Sequence, residues 1–151
     1  MSTYEKIQWS EGLSIGNHNV DRDHQKLLKI YNSLVDLITN DGSRIEFVSI
    51  LSEMTDYALL HFRKEEEYMK AFSYPGFADY EKYHMDYIYR VSMFNIELSR
   101  FSTTDPKEVL QYVEQWWIKH ILENDLEYEN FKKSIQSDAH YAAFWIICYQ
   151  E

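Results

Sequence analysis

Apolar residues recur at offsets of three and four along four long stretches of this chain, and almost nothing interrupts them. Such spacing lines one face of a helix, because about 3.6 residues complete a turn. The first stretch runs from about Asn19 or Asp21 to Thr39 and carries Leu27, Leu28, Tyr31, Leu34, Val35 and Ile38. Asn40-Asp41-Gly42 stops it. Ser43 can cap the second stretch, whose stripe is Phe47, Leu51, Met54, Ala58, Phe62 and Met69. Phe72-Ser73-Tyr74-Pro75-Gly76 breaks it, since proline lacks an amide proton and disfavours helix at the residue before it. The third runs from about Phe77 to Phe101, with Ile88, Val91, Phe94 and Leu98 inward, and Ser102-Thr103-Thr104 forms a short loop. Asp105-Pro106-Lys107-Glu108 opens the fourth, with Asp as cap, Pro in the first turn and Glu three residues after the cap. That helix carries Val109, Val113, Trp117 and Ile121 and is expected to fade after Lys133. Only 4 Gly and 2 Pro occur in 151 residues, too few to punctuate many strands and turns. The pattern predicts an all-α, up-down-up-down antiparallel four-helix bundle in a single domain. Residues 1–18 form an arm whose Trp9 packs on the body, residues 19–134 the bundle, and 135–151 a tail expected to cover it.

Composition excludes several functions. Lys+Arg 15 against Asp+Glu 25 gives a net charge of -10, and an acidic surface of that size repels phosphate backbones, so no nucleic-acid partner is expected. Hydrophobic residues at 45% and aromatics at 17% are too many for a disordered chain. The single Cys148 allows no internal disulfide and no thiolate cluster, and in its apolar surroundings reads as a small buried hydrophobe. Met1 to Lys6 lacks the apolar core of a secretory leader, and the longest apolar run, Ala142 to Tyr149, is far short of the roughly 20 residues that span a bilayer. A soluble cytoplasmic protein with no membrane partner is the expectation.

The six histidines are the informative residues. His24 lies three before Leu27, His61 on the Met54–Ala58 stripe with Glu65 four residues on, His84 on the Phe77–Ile88 stripe, and His120 on the Val113–Trp117 stripe. Each helix therefore turns one imidazole inward. One inward histidine is ordinarily a hydrogen-bonded core residue. Four of them with an inward carboxylate would be costly to bury without a shared partner, and a metal satisfies them together. Imidazole with carboxylate suits iron, manganese or zinc, and ligand type alone does not choose. His61-Phe62-Arg63-Lys64-Glu65 lacks the second His of a zinc-protease helix, and the Glu-x-x-His of ferritin-like bundles occurs once, at Glu81 to His84, where two are needed. His18 and His140 read as surface or incidental positions, and Glu66 and Glu67 as solvated helix faces. Trp116, Trp117 and Phe62 read as core, a subset of which walls the site from water.

These residues resemble the hemerythrins. Val20-Asp21-Arg22-Asp23-His24-Gln25 is similar to the family's first motif, and His61-Phe62-Arg63-Lys64-Glu65-Glu66 with Met69 and Tyr74-Pro75 to the second. Trp117-Ile118-Lys119-His120-Ile121, with Asp125 and Tyr128, is similar to the last, and Trp9 matches a tryptophan of bacterial members. The resemblance covers about residues 9 to 131 and implies two non-haem iron ions, oxo- or hydroxo-bridged, that bind dioxygen reversibly. It implies that one iron takes His24 and His61 and keeps a position for dioxygen, that Glu65 and Asp125 bridge, and that the other iron takes His84, His120 and one further His.

That further His is missing. The family places two His four residues apart after Tyr-Pro, and here those positions hold Tyr80 and His84. Tyr80 is expected to ligate as a phenolate, as tyrosine does in catalase, with its ordinary pKa near 10 lowered by direct bonding to a ferric ion. The alternative is that it packs aside and leaves that iron short of a ligand. An added anion favours ferric over ferrous iron, so oxygen binding, storage, delivery or sensing has a rival: a di-iron peroxide- or nitric-oxide-reactive enzyme resting in the ferric state. A zinc or single-iron site without redox work is the third reading. Asp125 rests on the resemblance alone. It lies five residues past His120, about 140° away on an ideal wheel, where periodicity favours Glu123 or Asn124, and it would fit a locally widened turn.

Overall fold

The computed structural model describes residues 4–100 and 103–148, with side chains through residue 139. Helix α1 spans His18–Thr39, α2 Arg44–Ala71, α3 Phe77–Ser99 and α4 Pro106–Lys119. A π-helical turn, His120–Asp125, joins α4 to α5, Leu126–Cys148, without a break in the helical backbone. There is no strand among the described residues.

Helices α1, α2 and α4 each start where a side chain can replace the missing intrahelical acceptor, while α3 starts after Gly76 without one. Asn17 caps α1 by accepting from the amides of Asn19 and Val20, which brings His18 into the helix as an exposed first residue. Ser43 and Glu46 form a reciprocal capping box at α2, and Asp105 caps α4 with Pro106 in its first turn. Asp41 at φ 51 and Ser73 at φ 54 turn the chain out of α1 and α2 in the left-handed conformation.

Short loops make sequential helices antiparallel neighbours: α2 packs on α1 and α3, and α4 packs on α3 and α1. The apolar stripes meet in one core, in which Leu34, Leu51, Val91, Leu110 and Val113 are wholly buried. Each such side chain stabilises the fold by about 2 kcal/mol. A second, smaller cluster of Ile15, Val20, Met69, Tyr80, Ile121 and Tyr128 closes the bundle end that holds the histidines. The arm packs through Tyr4 and Ile7, the latter clamped by paired backbone bonds to the Asn32 amide, while Trp9 is half-buried. Gly16, at φ 78, turns the arm into α1.

The expected break after Lys133 is absent. The backbone stays helical to Cys148, and residues 133–139 are exposed, so this stretch does not cover the bundle. The side chains of His140 and Cys148 lie outside the described residues. No helix among the described residues is long and apolar enough to cross a membrane.

Candidate metal centre

The four inward histidines meet at one level of the bundle. His24 comes from α1, His61 and Glu65 from successive turns of α2, Tyr80 and His84 from successive turns of α3, and His120 and Asp125 from the π turn. That turn resolves the difficulty over Asp125. Widening the helix to i→i+5 bonding brings the sixth residue back over the first. His120 Nε2 thus lies 3.1 Å from Asp125 Oδ1, both fully buried, while Glu123 is exposed.

Glu65 is the hub. Its Oε2 lies 3.3 Å from His61 Nε2, 3.3 Å from His84 Nε2 and 3.4 Å from His120 Nε2. Asp125 Oδ2 lies 2.8 Å from His24 Nε2. His24, His61, Glu65, His120 and Asp125 each offer a ligand atom within 4.8 Å of all the others. His84 joins them through Glu65. The angles at these contacts are not those of hydrogen bonds. The Nε2 atoms of His24, His61, His84 and His120, Oε2 of Glu65 and both oxygens of Asp125 are buried without a hydrogen-bond partner. The hydroxyl of Tyr80 is in the same condition, with its ring edge-on to His84 at 4.7 Å and 5.7 Å from His120. Orphaned buried polar atoms are expensive. A converging set of imidazoles and carboxylates has the donor chemistry to hold divalent or trivalent metal ions, so these residues fit a metal centre.

A second set of residues orients the first. His61 Nδ1 faces Asp23 Oδ2 at 3.3 Å, and Asp23 in turn accepts from Tyr57 at 2.8 Å and from Lys64. His84 Nδ1 pairs with Glu66 Oε1 at 2.9 Å, and Tyr128 donates to Glu65 Oε1 at 2.9 Å. Partners of this kind point the opposite ring nitrogen at the metal. Glu66 is therefore half-buried and bonded rather than a solvated face, a correction to the sequence reading. Asp23 was missed as well, although it is adjacent to His24; one residue further round α1 it faces α2. Aromatic rings form the dry wall: Phe62 stacks on His84 at 3.9 Å, Trp116 on His120 at 4.5 Å, and Trp117, held by its indole bond to Tyr87, stands edge-on to His24 and His120.

Without metal the cluster divides its protons unevenly. Burial pulls His24 well below its ordinary value and His120 down to about 4. Burial acts on His61 in the same sense, but Glu65 and Asp23 outweigh it and push His61 up to about 9. Burial pushes Glu65 up, but His61 and His120 hold it well below the usual carboxylate range. Burial and the neighbouring Glu65 charge raise Asp125 well above that range. The metal-free site therefore holds a proton on His61 at neutral pH.

The model of the hemerythrin HHE cation binding domain matches residues 15–130. The chain belongs to the hemerythrin family. A bacteriohemerythrin of Clostridium acetobutylicum is 31% identical over 124 residues, covering 80% of this chain and 96% of the relative. A hemerythrin-like protein of Naegleria gruberi is 23% identical over 123 residues, covering 82% and 91%. The crystal structure of a wild-type hemerythrin superposes with a TM-score of 0.75 at 22% identity, over 82% of this chain and 95% of that one, which shows the shared bundle fold. This is thus a protein of the non-haem iron, oxygen-binding hemerythrin family, and its buried His/Glu/Asp cluster is a candidate metal site.

Proposed function

We propose that the centre holds two iron ions and binds dioxygen or a related small molecule, in oxygen binding, storage, delivery or sensing. The observation that carries the reading is the convergence of buried, unpartnered imidazole and carboxylate atoms from all four sides of the bundle. His24 and His61 are assigned to one iron, His84, His120 and Tyr80 to the other, and Glu65 and Asp125 to both. When bound, the iron pair would supply reversible electron transfer to dioxygen. The protein's own part is to orient and to exclude water. Asp23 and Glu66 fix the rings of His61 and His84, Tyr128 fixes Glu65, and Phe62, Trp116 and Trp117 keep the site dry. A dry, fixed site favours release of the ligand unchanged over proton-driven side reactions.

Tyr80 favours a second reading. Its hydroxyl is buried with no partner and its ring stands edge-on to His84, as suits a ligand rather than a packing residue. Tyrosinate lowers the charge of the site by one unit and favours the ferric state. That supports a di-iron enzyme reactive towards peroxide or nitric oxide. The visible spectrum of the iron-loaded protein in air separates the two. A broad green-to-red band lost in Tyr80→Phe is expected for phenolate ligation. Its absence, together with reversible colour change on cycles of reduction and oxygenation, would assign simple oxygen binding at the His24–His61 side. A protein that takes up no iron would refute both.

A further inference from the structure

The aromatic wall that keeps the centre dry also bars a hydrated ion, since stripping water from a divalent cation without replacing its ligands is very costly. Dioxygen, being apolar, has no such difficulty. A polar way in exists elsewhere. A cavity of about 370 Å³ opens between the start of α1 and the second half of α2. Its lining includes His61 and Glu65, two residues of the cluster described above. Asp23 lies along its wall, and Asn19, Lys64 and Tyr68 line it further. Behind Tyr68, the buried carboxylate of Glu129 accepts from the Tyr68 hydroxyl at 3.0 Å, adding a second anion to this region.

We propose that this cavity is the inlet through which an aquated divalent metal ion reaches the centre, with Asp23 as a carboxylate stop on the way and Lys64 as its gate. The proposal rests on the reading of the centre as metal-binding. Lys64 Nζ lies 3.1 Å and 3.4 Å from the two Asp23 oxygens, and its side chain is 53% exposed. A flexible ammonium in that position can swing into solvent, leaving Asp23 to receive a cation. Asp23 Oδ2 is 3.3 Å from the ring of His61, whose other nitrogen faces the centre. The ion thus passes from carboxylate to imidazole and carboxylate along a lining that also holds Val20 and a second cation, Arg22. The net charge of -10 draws cations to the protein from a distance.

The test is rapid mixing of the full-length, metal-free protein with Co(II) alone, followed by quenching of the fluorescence of Trp117, which neighbours three of the histidine rings. Lys64→Met keeps the stem and removes the charge. Its uptake is expected to be roughly tenfold faster at low salt and to approach wild type at high salt. Lys64→Arg should behave as wild type. Asn19→Phe, which places a bulky ring in the cavity, should slow uptake. All should reach the same final stoichiometry, and both positions are exposed, so the fold tolerates the changes. Equal rates in Lys64→Met, Asn19→Phe and wild type at full loading would overturn the inlet and leave the metal centre standing. No Co(II) uptake by the wild-type protein would overturn both.

Discussion

Glu66 holds His84 from behind, and that single bond accounts for the direction in which the ring points. Removing such a partner ordinarily costs 10–100-fold in metal affinity. Glu66→Ala is accordingly expected to lower iron affinity by about tenfold or more in a chelator competition, while Glu67→Ala, on an exposed position, should not. Equal affinities in both variants would show that the His84–Glu66 bond does not support the site. At this scale burial is legible in the sequence where a residue faces inward along its own helix: His24, His61, His84, His120 and Glu65 all follow from offsets of three and four. Asp23 and Glu66 did not follow, because each lies beside the inward stripe and its role depends on the rotation of the neighbouring helix. Tyr80 is intermediate. Its inward position was legible from its spacing to His84, and its buried, unpartnered hydroxyl is now known.

Among the elements, the π turn His120–Asp125 matters most. Had α4 continued as an ordinary helix, Glu123 would lie near the face of His120 and Asp125 would be turned away. Instead Asp125 is wholly buried and Glu123 exposed. Glu123→Ala should leave iron content unchanged, and Asp125→Ala should lose bound metal, both measured by elemental analysis against protein concentration. The reverse result would mean that the turn is regular in solution. Helix positions and the caps of α2 and α4 were legible from Ser43 and Asp105. The end of the last helix was not, since nothing after Lys133 breaks a helix and the expectation of a separate tail rested on composition alone.

For the whole molecule, metal, protons and stability are linked. Because His61 is raised to about 9, a metal ion entering at neutral pH must displace its proton. Loading is therefore expected to acidify a weakly buffered solution, and Zn(II) affinity should strengthen with rising pH until about 9, by up to tenfold per pH unit. Proton release that is absent, or affinity that is flat over this range, would contradict the assigned charge states. The same group acts on the metal-free fold. His61 is raised above its ordinary 6.5, so its contribution to stability is fully present below that value and is lost as pH rises through about 9. Metal removal should also lower the thermal midpoint, by an amount that grows with the metal concentration of the loaded sample. An identical midpoint with and without iron would sink this expectation.

The sequence by itself determined the bundle, its four helices and the inward set of histidines, because all of these depend on periodicity along one chain and on residues that stop or start a helix. It also determined the departure at Tyr80, which is a matter of residue identity. The tertiary structure decided which oxygen faces which ring, that Asp23 and Glu66 brace the centre, and that one side is aromatic and another polar. Those features arise where two or more helices meet, and the relative rotation of packed helices is set by side-chain interdigitation across the whole core rather than by any local run of residues.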